Sequence, residues 1–84
     1  MSAHSRRQVA VAFGAILRNA RDGMGISQEG LAEGADMDRT YPSLLERGRR
    51  QPTLFALLNL AAALEIEPAL LVTMTLARLR REEL

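Results

Sequence analysis

The chain has no cysteine and no lysine, a single histidine (His4), and an aromatic content of only 4%. Without cysteine there is no disulfide framework, no thiol nucleophile and no zinc ribbon. With one histidine besides, neither a metal-binding set nor a nucleophile–base pair can be assembled, so no enzymatic activity, cofactor or small-molecule ligand is expected. His4 reads as a solvated side chain near the terminus. No apolar leader opens the sequence, and the apolar stretch from Leu54 to Ala77 is cut by Glu65, Glu67 and Pro68. Neither a signal peptide nor a membrane span is expected, and the expected location is cytoplasmic.

What is present favours helix. The 84 residues are 48% apolar, rich in Ala and Leu and almost free of β-branched runs, which predicts an all-α fold. That length allows one small core and therefore one domain over residues 1–84. The net charge is only +1, yet the charges are segregated. Residues 1–21 carry four arginines and no acid, residues 22–38 five acids and no base, and residues 39–50 four arginines against Glu46. The exclusive use of arginine suits bidentate phosphate contacts and equally suits a GC-rich coding sequence. The acids Glu29, Glu33, Asp36 and Asp38 read as a solvated face, and Met24 and Met37 as loop and core residues.

Apolar spacing and capping residues predict five helices. Val9, Phe13, Ile16, Leu17 and Ala20 form one stripe of a helix from about Ser5 to Arg21, stopped by the glycines of "DGMG". Ser27 caps a short second helix with Leu31 and Ala32 inside; Gly30 in its interior costs about 1 kcal/mol relative to Ala. Gly34 and Asp36 mark a turn. Asp38 is a natural cap for a third helix, "DRTYPSLLER", closed by Gly48. Because Pro42 lacks an N–H and biases Tyr41 away from helical angles, that helix alternatively begins at Tyr41 or Pro42, with Arg39 and Thr40 on its leading turn. Thr53 caps a fourth helix over 54–64, and "EIEP" starts a fifth over 67–82 with Pro68 in its first turn. The charged end "RLRREEL" reads as a solvated helix tail.

Residues 28–47 fit a helix-turn-helix template. Leu31, Ala35, Met37 and Leu45 take its buried positions, and Ala32 takes the small-residue position where the two helices cross. With "LRNAR" before it and "LLNLAAALEI" after it, the stretch "ISQEGLAEGADMDRTYPSLLERGRRQPTL" resembles the Xre/Cro-repressor type of helix-turn-helix proteins over roughly residues 13–72. Within that family it is most similar to small stand-alone regulators such as the controller proteins of restriction-modification systems. The resemblance implies a five-helix, lambda-repressor-like domain that binds double-stranded DNA as a homodimer on a palindromic operator.

The same resemblance assigns roles to individual residues. Ser27 and Gln28, at the start of the second helix, would hold a phosphate. Arg39, Thr40, Ser43 and Leu44 would face base edges in the major groove: Arg39 suits guanine, Thr40 or Ser43 a base edge, and Leu44 a thymine methyl. Tyr41, Arg47, Arg49 and Arg50 would contact the DNA backbone. Arg21 and Glu46 match a structural ion pair between the first helix and the end of the third. The sequence departs from the family pattern at Asp36, where glycine is usual, at Pro42 in place of an aliphatic residue, and at Gly30 in place of a capping-box Glu.

Helices four and five carry more apolar residues than one small core can cover. Phe55, Asn59, Leu70, Leu71 and Met74 are therefore expected on a two-fold dimer surface. The alternative is a protein-binding module, antitoxin-like or adaptor, that grips a different protein partner through that surface.

Overall fold

The first helix begins where Ser5 satisfies the free backbone donors of its opening turn. Its hydroxyl accepts from Gln8 N while the Gln8 side chain accepts from Ser5 N, a reciprocal cap. In the computed structural model, which describes residues 4–82, this helix is α1 (Arg6–Met24), followed by α2 (Gln28–Gly34), α3 (Tyr41–Glu46), α4 (Leu54–Leu64) and α5 (Pro68–Glu82). The described residues contain no strand. No single helix among them is long and apolar enough to cross a membrane.

Two boundaries differ from the sequence reading, and at a third, the start of α3, its alternative holds. α1 does not stop at Arg21: Asp22, Gly23 and Met24 stay helical, and only Gly25 takes the left-handed conformation, with φ 76°, that turns the chain out. Asp38 does not cap α3. The helix starts at Tyr41, because Pro42 is tolerated only in the first turn, where its missing N–H would have had no intrahelical acceptor. Thr40 is the capping residue by position and makes no side-chain cap bond, while Asp38 closes a separate turn just before it. Finally, α5 begins at Pro68 rather than residue 67, with Glu67 supplying the first acceptor through its carbonyl to Leu70 N.

Elsewhere the caps sit where their chemistry suggests. Ser27 accepts from Gly30 N and Thr53 from Ala56 N. Asp36 takes up the left-handed backbone of the α2–α3 turn with φ 54°, a conformation Asp tolerates better than most residues. Glu65 does the same after α4 with φ 56°.

The core is a cluster of Phe13, Leu17, Leu31, Ala35, Leu45, Leu60, Ala61, Leu64 and Leu71 drawn from all five helices. Leu17, Leu31, Leu45, Leu60 and Leu71 are completely buried, and each such burial stabilises by roughly 1.5–3 kcal/mol. α1 packs on α3, α4 and α5, and α2 on α3 and α4, so α3 is held from behind by α1 and α2 and presents its other side outward.

The rotation of the last two helices corrects two surface assignments. Leu71 is 0% exposed and belongs to the core, because α5 turns Leu71, Thr75 and Leu79 inward at four-residue steps. Thr75 is buried beside it, its hydroxyl donating to Leu71 O at 2.8 Å. Met74 is half-buried and packs against the core rather than standing free. Ala56 is likewise buried on α4, whereas Phe55 beside it is 74% exposed. Arg78 pairs with Glu82 on the outer end of α5; the last two residues of the charged tail, Glu83 and Leu84, lie outside the described residues.

Candidate nucleic-acid interface

The outward side of α3 is set by an ion pair behind it. Arg21 Nε donates to Glu46 Oε2 at 2.6 Å and Nη2 donates to Glu46 Oε1 at 3.0 Å, a two-pronged contact between α1 and the end of α3. A third guanidinium donor reaches Ile26 O at 2.9 Å. The side chains are only 12% and 3% exposed. Burial pushes the Glu46 carboxyl up, but hydrogen bonds from Arg21 and Gln28 and the positive charge of Arg21 outweigh it and leave the group below its ordinary value. On Arg21 the hydrogen bond to Glu46 outweighs desolvation and pushes the guanidinium above its ordinary value.

Gln28 joins this pair: its Nε2 donates to Glu46 Oε1 at 3.0 Å. One carboxylate therefore fastens α1, the start of α2 and the end of α3 together. Gln28 still lines the outer surface, but its amide is partly committed to Glu46. Ser27 is exposed and its oxygen is engaged as the α2 cap.

In front of this anchor lies an open groove of about 450 Å³ lined by Gln28, Glu29, Arg39, Thr40, Ser43, Leu44 and Arg47. All four residues assigned to base contacts are in it. Ser43 and Leu44 project from α3, and Arg39 and Thr40 from the turn before it. Glu29 also enters the groove, although nothing in its local sequence sets it apart from the solvated acids around it.

Thr40 is constrained. Asp38 Oδ1 accepts from Thr40 N at 2.8 Å and from the Thr40 hydroxyl as well. These bonds, the side-chain one first, hold the Asp38 carboxyl below its ordinary value. An ionised carboxylate only accepts, so the Thr40 hydroxyl proton is directed at Asp38 and the oxygen presents lone pairs to the groove.

Of the backbone-contact candidates, Tyr41 opens α3 and the three arginines lie at and beyond its end. Tyr41 is half-buried, with its hydroxyl donating to Gln51 O at 3.4 Å. Arg47 Nε donates to Ser43 O at 3.3 Å, and Arg49 and Arg50 are exposed on the following loop. Beside them the structure places two arginines that sequence reasoning did not single out. Arg6 and Arg7, from the first turn of α1, line the same cleft as Arg47, Arg49 and Arg50. The only sequence signal was the acid-free stretch over residues 1–21, which offered no hint of where it would fold.

Leu54, Phe55 and Leu58 of α4 and Leu70, Val72 and Leu76 of α5 are also exposed. Asn59 is half-buried near them. Phe55 and Leu70 thus lie on the surface, while Leu71 does not.

The described residues hold no group of three or more His, Cys, Asp or Glu side chains placed to bind a metal ion. Comparison with known proteins gives a consistent set of relatives. The helix-turn-helix family model HTH_3 matches residues 17–71. A protein described as an uncharacterized HTH-type transcriptional regulator, y4dJ of Sinorhizobium fredii (strain NBRC 101917 / NGR234), is 43% identical over 51 residues. That match covers 61% of this chain and 66% of the relative, just under two thirds of its length. Among solved structures, the restriction-modification controller protein C.AhdI from Aeromonas hydrophila is 47% identical, with TM-score 0.72 over 74% of this chain and 94% of that one. The controller protein C.Esp1396I, solved as a tetramer in complex with its natural 35 base-pair operator, is 27% identical, with TM-score 0.76 over 84% of this chain and 93% of that one.

Proposed function

Since this chain belongs to the HTH_3 helix-turn-helix family, a family of DNA-binding transcriptional regulators and not an enzyme class, we propose that it binds a specific double-stranded DNA sequence as a homodimer. α3 and the turn before it enter the major groove. Arg39, Thr40, Ser43 and Leu44 meet base edges there, and Ser27, Gln28, Tyr41, Arg47, Arg49 and Arg50 hold the phosphates on either side. The observation that carries this reading is the groove in front of α3. It brings a guanidinium, two hydroxyls and an aliphatic side chain to one outward surface, while the Arg21–Glu46 pair fixes the helix behind it.

The exposed apolar side chains of α4 and α5 support the dimer. Pairing two copies through Phe55 and Leu70, without the buried Leu71, covers exposed apolar area on both helices. It also presents two α3 helices about one DNA turn, ~34 Å, apart. The tetrameric operator complex of C.Esp1396I supports assembly on DNA as the relevant mode. The exposed Phe55 and Leu70 also favour one other reading, in which they grip a different protein; self-association is preferred because it serves the DNA reading with no further component.

A pair of variants tests the assignment. Arg39→Ala is expected to change which sequences are bound, and Arg49→Ala to weaken binding to all sequences while flattening the salt dependence by about one unit of log–log slope. Binding that neither change alters would contradict the proposed docking.

A further inference from the structure

Five arginines distant in sequence wall a single cleft. Arg6 and Arg7 come from α1, and Arg47, Arg49 and Arg50 from the end of α3 and the loop to α4. Ala10, Gly48 and Gln51 complete the lining around a volume of about 780 Å³. No carboxylate lines this cleft, and none of the five guanidinium groups forms an ion pair with a described residue. Like charges gathered without a counter-charge repel one another and oppose compaction. Such a cleft is suited to an anion that supplies the missing charge.

The two walls are fastened to each other. Gly48 has φ 70°, and a β-carbon on it would lie 2.8 Å from Val11 Cγ2 of α1, so the loop meets α1 at backbone range. Gln51 Nε2 donates to Arg6 O at 3.1 Å, and Gln51 O accepts from the Tyr41 hydroxyl at 3.4 Å. The first turn of α1, the loop and the start of α3 are thereby linked. The separation between Arg6 or Arg7 and the loop arginines is a property of the fold.

The cleft also continues into the base-facing groove. Arg47 lines both, so a duplex lying with its bases against Arg39, Thr40, Ser43 and Leu44 would run its sugar-phosphate strand past Arg47 toward the other four arginines. We infer that Arg6 and Arg7 are DNA-backbone contacts, forming with Arg47, Arg49 and Arg50 a two-walled phosphate clamp that straddles one strand beside the segment being read. This rests on the DNA-binding reading above and adds α1 to the surface that touches DNA. Guanidinium groups suit it because their forked donors match phosphate oxygens two at a time. Such contacts contribute affinity and orientation without reading sequence.

The test is the double variant Arg6→Gln/Arg7→Gln, compared with wild type on an operator duplex chosen by the wild-type protein and on a scrambled duplex of equal length, over a salt series. Both side chains are exposed, and far-UV circular dichroism checks that the variant is folded. Both duplexes are expected to lose affinity by the same factor. The plot of log K against log salt is expected to become shallower by about one unit for each phosphate that the variant no longer neutralises. The selected sequence stays unchanged, and Arg6→Lys/Arg7→Lys restores most of the slope. Wild-type slope and affinity in the glutamine variant, with the wild-type protein binding its operator normally, would overturn the clamp and leave the α3 reading intact. A wild-type protein that selects no duplex would overturn both.

Discussion

Gly14 of α1 and Leu45 of α3 meet backbone to backbone: a β-carbon on Gly14 would sit 2.3 Å from the Leu45 carbonyl oxygen and 2.8 Å from that of Glu46. Real β-carbons do not approach this closely, and the obstacle is main chain rather than a side-chain tip that can swing away. The glycine lowers helix propensity by about 1 kcal/mol relative to Ala and in return lets α1 support α3 directly. Gly14→Ala is therefore expected to destabilise the fold by about 1–3 kcal/mol, against the usual gain for such a change in a helix. Urea denaturation measures it. An unchanged or raised midpoint would show that the two helices are not packed this closely.

The Arg21–Glu46 pair gives a prediction with a pH signature. Arg21→Ala leaves a part-buried carboxylate with only its hydrogen bond from Gln28, at a cost of roughly 1–3 kcal/mol. Glu46 in the folded chain ionises below its ordinary value of 4.5. Its contribution is thus present in full above that value and is lost as pH falls through the lowered folded one. Glu46→Gln is expected to flatten the acid limb of stability below about pH 4.5, and urea midpoints across the acid range check this. An acid limb as steep as wild type would mean that Glu46 is not the group held ionised.

These two cases mark what the sequence disclosed. Ser27, Thr53 and Pro68 advertise their helix starts through local chemistry, and the helix-turn-helix spacing over 28–47 was legible because it repeats a known arrangement of core and turn positions. Gly14 was not legible: a glycine in a helix states only a propensity cost, and its reason lies on another helix. Leu71 was misplaced for a related cause. In a helix apolar on nearly every side, periodicity does not tell which side faces in, and buried Thr75, satisfied by Leu71 O, reverses the side that hydroxyls would suggest. Arg6 and Arg7 escaped notice because only the folded chain brings them to Arg47, Arg49 and Arg50.

Asp38 and Thr40 yield a prediction about the operator. With its proton directed at Asp38, the Thr40 oxygen can only accept, so the base it meets should offer a major-groove amino group, adenine N6 or cytosine N4. Sequence selection with Thr40→Val should lose preference at one position of each half-site, and Asp38→Ala should relax the same position by freeing the hydroxyl to donate. Selection by Thr40→Val that keeps the wild-type preference at every position would contradict this contact.

Phe55 separates self-association from capture of another protein. At 74% exposed it should tolerate Phe55→Glu without loss of fold. Sedimentation at tens of micromolar is expected to show a dimer for wild type and a monomer for the variant, with operator affinity falling because two half-sites are no longer linked. A wild-type monomer at that concentration would contradict the dimer and favour the other-protein reading.

The most direct test of the central claim is selection of bound duplexes from a random DNA library by the wild-type protein. The result expected is an enriched inverted repeat with half-sites one helical turn, ~34 Å, apart. Recovery of no common sequence, with binding at most non-specific and salt-sensitive, would contradict it.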